Sequence, residues 1–477
     1  MPDPGAARSF WLQEALGVDP GEPCPPLEAR VAADVCIVGG GFAGLWTAIE
    51  LSHREPQMRI ALLEQDICGG GASGRNGGFF SSSWWDLPGL VGLFGEEEGT
   101  RYALTVSDAV QRCGSWLKEN GVDAWFHADG ALGVRTGTWQ DGIGSGEAPA
   151  LCARLGLSDR MVPLGSEAAR AYADSPRFVD GVFIPDAAVV QPARLARGLR
   201  RVALERGVRI FERTKAIGIE RSRPAVVSTE RGAMKADQVV VTIGAWGAGW
   251  PEFRRSFGVI ADYVVVTEPI PDLLTEIGWT SNVGIGDGRD LLFYLRPTDD
   301  GRIAIGGGAT GVIHGGTLSS RVTHDRRIAE VAARGLMWLF PQLEGVRFTH
   351  AWGGPIDMTA SFTPFFRTLA PGSIHAGLGF SGHGLSQTMV GGNILTSLVL
   401  GVHDEWTSLP VVGPEIAKTP PEPLRWPLVR AAEWALEAGD RRADTGSQRG
   451  RVLDAIGSAP LAYRDRLVTR RSSRRPQ

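Results

Sequence analysis

The chain has 477 residues, more than one hydrophobic core usually serves, and its net charge of −4 lacks the basic excess of a nucleic-acid binder. With 43% hydrophobic and 21% charged residues it reads as a folded protein, which excludes a disordered or fibrous chain. Glycine is the outlier at 64 residues, about 13% against a usual ~7%, in clusters that predict tight turns and close backbone approach to a ligand.

Residues 1–32 read as an irregular N-terminal arm, extended by Pro20, Pro23, Pro25 and Pro26. The arm lacks a basic and apolar leader pattern, and no apolar run is long enough to span a membrane. The nearest candidate, 377–401, is interrupted by Ser381, His383, Ser386, Gln387 and Asn393. Cys24, Cys36, Cys68, Cys113 and Cys152 form no CxxC or zinc spacing and suit a reduced compartment. The expectation is a cytoplasmic protein with no membrane or nucleic-acid partner and no bound metal.

From Ala33 the pattern becomes a strand, Asp34–Val38, whose apolar run fits a strand buried on both faces. Glycines follow, then a helix from Phe42 to His53 and a second strand, Arg59–Glu64, closing a βαβ unit. Helical patterning returns at 96–120, 143–155 and 191–206, the last with Leu195, Leu199 and Val202 on one face. Strands then dominate: 208–211, 216–220, 225–229, 238–242, 263–267, 291–295 and 302–306. A helix at 323–339 ends before Pro341. The strand 373–376 leads into a second glycine-rich turn and a helix to Leu400; a further helix falls within 424–438. Arg470, Arg471, Arg474 and Arg475 mark a disordered basic tail.

The expected class is α/β. A Rossmann-like dinucleotide-binding domain is built from separated segments, 33–100, 186–250 and 345–405. Residues 101–185 and 251–344 form an inserted mixed-sheet substrate domain. A helical extension covers 406–465 and the tail 466–477.

The strongest motif is G-x-G-x-x-G at Gly39, Gly41 and Gly44, with Phe42 and Ala43 between. It follows a buried strand and opens a helix, as a dinucleotide fingerprint requires. Gly39 permits the tight turn, Gly41 lets the backbone approach a pyrophosphate, and Gly44 lets helix and strand pack closely. Free N–H groups at the helix start then face the phosphates. Glu64, at the end of the second strand, is placed to accept from ribose hydroxyls, which disfavours NADP. The fingerprint does not choose between FAD and NAD. The dense loop Gly69–Gly78 does, because it lets backbone amides lie against a flat polar ring, with Ser73, Arg75 and Asn76 as further donors.

The run from Asp34 to Gly78 resembles the FAD-binding start of the D-amino-acid-oxidase/glycine-oxidase superfamily. The stretch Gly71–Gly78 is similar to gamma-glutamylputrescine oxidase-type amine oxidases. The resemblance continues through 185–195, 241–246, 263–269, Trp352–Pro355 and Gly379–Gly384, and covers roughly residues 10–440. It implies FAD held by the fingerprint residues, Glu64, Gln65, Ala72, Ser73, Arg75, Asn76, Gly77, Gly78, Ala216, Gly244, Ala245, Trp246, Gly354, Gly382, His383, Gly384 and Leu385. It places Arg296, His383, Trp352 and Tyr263 at the reacting centre. The sarcosine-oxidase branch links FAD through a cysteine near the position of Trp352. No cysteine follows Cys152, so noncovalent FAD is expected, with a histidine link left open.

Reduced flavin is anionic, and a helix opening at 383–385 offers N–H groups to that charge. His383 either joins in this or merely caps the helix. Glycine-oxidase relatives hold a substrate carboxylate with an arginine just after the Trp/Gly motif. The matching Gly353-Gly354-Pro355-Ile356 has none, so a simple amine is favoured over an α-amino acid. Arg296 either replaces that arginine or makes an interdomain salt bridge. Sarcosine-oxidase relatives carry a lysine over the flavin that promotes oxygen reduction. Its place falls in 301–306, and no lysine occurs between Lys235 and Lys418. Only those two, Lys118 and Lys215 are lysines, a bias that coding preference explains. Phe79, Phe80, Trp84, Trp85, Tyr263, Tyr294 and Trp352 are candidates for an aromatic wall or plain core.

The reading is FAD-dependent oxidation of a small-molecule amine to aldehyde and ammonia, with reoxidation by O2 or another acceptor. Alternatives are an amino-acid or N-methyl amine oxidase or dehydrogenase, a tailoring flavoenzyme, and a flavoprotein without turnover.

Overall fold

A computed structural model of the chain describes residues 8–137, 140, 146–316, 318, 322–323, 325–369, 372–413, 418–445, 447 and 450–459. The basic tail expected at 466–477 lies outside them, as do parts of the helix expected at 143–155 and of the extension at 406–465.

The N-terminal arm is not irregular throughout. It begins with α1 (Phe10–Val18). Ser9 caps this helix by accepting the Leu12 N–H at 3.1 Å, and Phe10, Trp11, Leu12 and Ala15 bury its inner face. The prolines start only after it. Next come β1 (Arg30–Val38), α2 (Phe42–Arg54), β2 (Ile60–Leu63), β3 (Phe79–Phe80), α3 (Leu87–Phe94) and α4 (Glu96–Glu119). Then follow β4 (Ala131–Arg135), α5 (Glu147–Arg154), β5 (Val162–Gly165), α6 (Ser166–Arg170), β6 (Asp180–Ile184), β7 (Ala188–Val189) and α7 (Pro192–Glu205). The middle holds β8 (Arg209–Phe211), β9 (Ala216–Glu220), β10 (Ala225–Thr229), β11 (Ala233–Val241) and β12 (Gly258–Thr267). After α8 (Pro271–Glu276) come β13 (Gly284–Asp287), β14 (Phe293–Pro297), β15 (Ile303–Gly307), β16 (Gly311–Val312) and α9 (Arg326–Leu339). The last elements are β17 (Phe348–Met358), β18 (Phe365–Leu369), β19 (Ile374–Leu378), α10 (Gly384–Leu400), α11 (Arg425–Asp444) and α12 (Arg451–Gly457).

The first sheet runs β18-β19-β11-β1-β2-β8, with β10 and β9 folded off β11. β19, β11, β1, β2 and β8 are parallel. Read across the sheet from β8 to β19, these five strands stand third, second, first, fourth and fifth along the chain, a doubly wound order. Its direction of growth reverses between β1 and β11, and ligands of such sheets bind outside the carboxyl ends at that point. The apolar run in β1 fits this place: Val35, Cys36, Ile37 and Val38 are buried, with α2, α7 and α10 packed over one face.

The second sheet has nine strands, β16-β12-β15-β14-β13-β4-β6-β5 with β17 on β12. Residues 348–358, grouped from sequence with the dinucleotide segments, pair instead antiparallel along β12, from Gly258↔Met358 to Thr267↔Phe348. The reason is that β17 buries residues on both faces, Ala351 on one and Trp352 on the other, so it needs a core on each side. β12 alternates in the same way. Ala261, Tyr263 and Val265 enter the core beneath α9, while Val264 and Val266 meet Phe10, Trp11 and Trp352.

Candidate active site

The first glycine turn lies at the switch point. Gly39 has φ 115°, and a Cβ there would stand 2.5 Å from the Thr242 carbonyl oxygen at the end of β11. A Cβ on Gly44 would stand 2.0 Å from the Gly39 carbonyl oxygen, so only glycine lets α2 sit this close to β1. Gly41 caps α2 without a side-chain acceptor of its own, and the Phe42 N–H donates to Ser73 Oγ at 2.9 Å. The start of the helix therefore presents backbone donors and a partial positive charge. Ala43 is buried in its first turn.

Glu64 follows β2. Its Oε2 accepts the Gly40 N–H and its Oε1 the Asp66 N–H, each at 2.8 Å. Each carboxylate oxygen keeps a lone pair for another donor. Burial pushes the carboxyl up to about 7 against the two backbone N–H bonds. Gln65 beside it is exposed. A bare helix start, a turn that a Cβ would fill and a half-buried acid at the strand end are the parts a dinucleotide needs, and they fit one.

The glycine loop is braced from several sides. Ala72–Gly74 form a single 3₁₀ turn. Asn76 spends its amide inside the loop: Nδ2 donates to the carbonyls of Ala72 and Ser73, and Oδ1 accepts the Gly78 N–H. Asn76 thus shapes the loop and does not aim its side chain at a ligand. Arg75 donates from Nε to Gly70 O at 3.0 Å and from Nη1 to Gly353 O at 3.2 Å, reaching β17. Trp352 answers with its indole N–H on the Arg75 carbonyl at 2.8 Å. Trp11 of α1 donates to Asn76 O at 3.0 Å and meets Trp352 edge to face at 5.8 Å. Trp11 and Trp352 are fully buried, so Trp352 acts here as a staple beneath the loop. The sequence reading missed Trp11, because a nine-residue helix ahead of a proline-rich stretch leaves little periodic signal.

The second sheet sends a different set of side chains from the one expected. Tyr263 lies on the far face of β12, fully buried in the core under α9, where its hydroxyl accepts the Asp325 N–H at 2.8 Å. A strand period of two turns it away from the loop. Its neighbour Asp262 takes the near face. Tyr294 donates its hydroxyl to Asp262 Oδ2 at 2.5 Å, and its ring lies 2.5 Å from where a Gly77 Cβ would stand. Asp262 was not singled out from sequence; the signal was there, a lone acid within the apolar strand 258–267.

Arg296 is fully buried. Its Nη1 donates to the carbonyls of Val190 and Gly78, its Nε to the Pro297 carbonyl, and its guanidinium lies 5.3 Å over the Trp11 ring. It clamps the loop to the end of β7. Burial lowers it to about 10. Among the described residues it forms no ion pair, so the salt bridge is not its arrangement here, and its Nη2 is buried without a hydrogen-bond partner. Phe79 is half-buried and packs edge-on to Tyr294 at 5.6 Å. Phe80 and Trp84 are core, Trp84 donating to Asp186 at 2.7 Å, while Trp85 is 40% exposed.

The second glycine turn precedes α10. Gly379, Ser381 and Gly382 have positive φ. Asp357 of β17 is buried and accepts the Gly379 N–H at 2.6 Å; burial pushes its carboxyl up to about 6. Gly384 and Leu385 open α10, and His383 stands at its N-cap without a capping bond. The His383 side chain is 45% exposed, with Nδ1 3.7 Å from Asp86. It neither caps the helix nor is buried. Gly354 lies next to Arg75, whose Cβ would be 3.1 Å from a Gly354 Cβ. Gly244, Ala245 and Trp246 form a 3₁₀ turn after β11, with the Trp246 ring 3.4 Å from a Gly71 Cβ position. Ala216 starts β9 and is half-buried.

Among the described residues no cluster of three His, Cys, Asp or Glu could hold a metal ion, and no helix is long and apolar enough to cross a membrane.

A family profile described as "DAO: FAD dependent oxidoreductase" matches residues 34–398, well over half of the chain. The chain is 24% identical to the "Probable oxidoreductase OrdL" of Haemophilus influenzae, over 79% of this chain and 85% of that protein. It is 27% identical to the "Gamma-glutamylputrescine oxidoreductase" of Escherichia coli, over 80% and 86% respectively. Its fold matches the crystal structure of glycine oxidase from Geobacillus kaustophilus with TM-score 0.64 at 20% identity, covering 79% of this chain and 96% of that one. L-proline dehydrogenase from P. horikoshii matches with TM-score 0.63 at 19% identity, covering 80% and 96%.

Proposed function

This chain belongs to the DAO family of FAD-dependent oxidoreductases, and from that premise we propose that it oxidises the CH–NH bond of a small amine to an imine, which water hydrolyses to an aldehyde and ammonia. When bound, FAD would supply the two-electron redox chemistry, with O2 as the final acceptor giving hydrogen peroxide. The observation that carries the reading is the meeting of the two sheets at the switch point. There the 69–78 loop, tied to the start of α2 through Ser73, meets Tyr294 at Gly77 and Gly354 at Arg75, and Tyr294 holds Asp262.

The residues divide the work. The Gly39–Gly44 turn and the start of α2 would hold the pyrophosphate, and Glu64 the ribose. The backbone of 72–78 and of Gly244–Trp246, with Ala216, would hold the rest of the cofactor. The start of α10, Gly382–Leu385, offers backbone donors to negative charge, and Asp357 fixes that turn. Trp11, Arg75, Trp352 and Arg296 hold the loop still. On this reading the segments of the first sheet form the FAD-binding domain, and those of the second, with 348–358 added, the substrate domain.

An amine is favoured over an amino acid. Residues 353–356 contain no arginine, and Arg296 is buried on backbone carbonyls. The Escherichia coli relative, named for an amine derivative, agrees. A second reading, transfer of electrons to an acceptor other than O2, draws on the absence of lysine between Lys235 and Lys418.

An anaerobic titration of the FAD-loaded protein with amines, amino acids and N-methyl amines tests the proposal. Amines are expected to bleach the visible flavin absorbance, and peroxide is expected on admitting air. No bleaching by any of the three classes overturns enzyme function. Bleaching without peroxide selects the second reading.

A further inference from the structure

Asp262 has an unusual set of partners for a desolvated carboxylate. Oδ2 accepts from the Tyr294 hydroxyl at 2.5 Å and Oδ1 from the Tyr263 N–H at 2.8 Å, and the Gly307 N–H adds a further bond. All these donors are neutral, and among the described residues no Arg, Lys or His forms an ion pair with it. Some other buried acids of the chain are answered by cations, Glu212 by Arg200 at 2.9 Å and Asp287 by Arg289 at 3.0 Å, while Glu64 is held by the backbone N–H groups of Gly40 and Asp66. Asp357, without a cation, is spent on the Gly379 turn. A buried charge is ordinarily paired, because leaving it unpaired is strongly destabilising.

The direction in which Asp262 faces gives the missing cation a place. Asp262 lies opposite Gly354 in the β12–β17 pairing, so the two share a face, and Gly354 lies against Arg75 of the glycine loop. Tyr294 shares that face and edges Gly77. Asp262 and Tyr294 are both only half-buried, whereas Tyr263 on the opposite face is closed off. The carboxylate therefore borders the space between the second sheet and the loop.

We propose that Asp262, positioned by Tyr294, is the counter-ion for an ammonium group of the substrate, and that this group is not the nitrogen that is oxidised. The proposal rests on the amine-oxidation reading above and narrows it. An anion beside a nitrogen stabilises its protonated form. Loss of hydride from the neighbouring carbon requires a neutral nitrogen with a free electron pair. A nitrogen held by Asp262 is thus protected from oxidation, and the reacting one must be a second nitrogen of the same molecule. The class is a diamine or polyamine. The same negative charge repels a substrate carboxylate, in keeping with the lack of arginine in 353–356.

The test compares wild type with Asp262→Asn, each FAD-loaded, on a monoamine and an α,ω-diamine of equal chain length. Asparagine keeps an acceptor for Tyr294 and removes the charge; Asp262→Ser replaces it if the asparagine variant fails to retain FAD. Wild type is expected to prefer the diamine in kcat/KM by about tenfold or more. The variant is expected to lose that preference, chiefly through a higher KM for the diamine. A preference that survives the substitution overturns the proposal. Calorimetry with guanidinium ion at low millimolar concentration, a cation with no carbon–hydrogen bond to oxidise, separates it from the parent reading. Wild type is expected to bind it at least about tenfold tighter than the variant. Equal binding, or none, overturns the role of Asp262 whatever the turnover results. Guanidinium binding without amine turnover overturns the oxidation reading and leaves a cation site.

Discussion

The indole N–H of Trp352 donates to the carbonyl oxygen of Arg75 at 2.8 Å, joining the second sheet to the glycine loop of the first. Arg75 returns the bond from its Nη1 to the carbonyl of Gly353, one residue along β17. The loop thus has its position set by a strand of the other sheet. The loop and the side chains presented by the second sheet are therefore one mechanical unit.

Trp352→Phe keeps the ring and removes the donor. It leaves a partly buried carbonyl without its partner, which costs about 1–3 kcal/mol. The apparent melting temperature is expected to fall by a few degrees in a chain of this length. FAD is expected to dissociate faster, since the loop is freed at the residue that bears on β17. Differential scanning fluorimetry and release of flavin fluorescence measure the two effects. A lowered melting temperature with unchanged FAD release would show that the staple serves the fold alone.

Gly44→Ala is expected to abolish FAD retention. The added Cβ would stand 2.0 Å from the Gly39 carbonyl oxygen, a backbone atom that cannot step aside without moving the turn. Gly17→Ala is the matched control. Nothing lies within 4 Å of its Cβ position and it sits in a helix, so alanine is expected to be neutral or to stabilise by about 0.5–1 kcal/mol. The ratio of FAD to protein after purification checks both.

The contrast between Gly44 and Asp262 shows what the sequence could carry. The local geometry of Gly39, Gly41, Gly44 and Glu64 was legible because it depends on neighbours close along the chain: a strand, a turn, a helix start, the next strand. The same locality made α2, α4 and α10 readable. Tyr263 and Asp262 depend on which face of β12 meets which sheet. Alternation places them on opposite faces but does not say which face is the site. That was settled by β17, more than 80 residues away in the chain, pairing with β12. The salt bridge expected as one alternative for Arg296 is absent among the described residues for a similar reason. The carbonyl partners of Arg296, Gly78 and Val190, carry no side-chain signature.

Arg200→Met is expected to destabilise the protein by roughly 3–5 kcal/mol. Arg200 Nε lies 2.9 Å from Glu212 Oε1, both residues being about 3% exposed. Glu212 would then rely on the Cys68 N–H at 2.9 Å and on Arg197 at 3.4 Å. Burial alone would raise the Glu212 carboxyl, but the Cys68 N–H and Arg200 outweigh it and hold it below its usual value. Its contribution is therefore present above the unfolded-state value and is lost as pH falls through the lower, folded one. The double variant Arg200→Met/Glu212→Gln is expected to recover part of the loss, because the Glu212 charge is then gone with that of Arg200; Arg197, which also pairs with Glu212, keeps the recovery incomplete. Urea denaturation at neutral pH and in acid measures these effects; a double variant no better than Arg200→Met would argue against an unpaired charge as the cause.

Glu64 gives the opposite pH dependence. Burial raises its carboxyl to about 7, although Gly40 and Asp66 N–H bonds oppose the shift. A raised acid binds its proton more tightly in the folded state. Its stabilising contribution is complete below the unfolded value and disappears as pH rises through about 7. FAD-free protein is therefore expected to melt lower at mildly alkaline than at mildly acidic pH. Glu64→Gln cannot ionise and should flatten that slope, gaining on the order of 1–3 kcal/mol at the alkaline end, where wild type carries the desolvated charge. Part of the slope is expected to remain, since burial also raises Asp262, Asp357 and Asp440 to about 6 and Asp287 to about 7. Affinity for FAD is expected to move the other way. The amide has one acceptor oxygen where the carboxylate has two, so the ribose loses a partner. Melting curves across pH without FAD, followed by fluorescence titration with FAD, check the pair of signs. Parallel melting profiles for the two proteins would mean that another acid sets the slope.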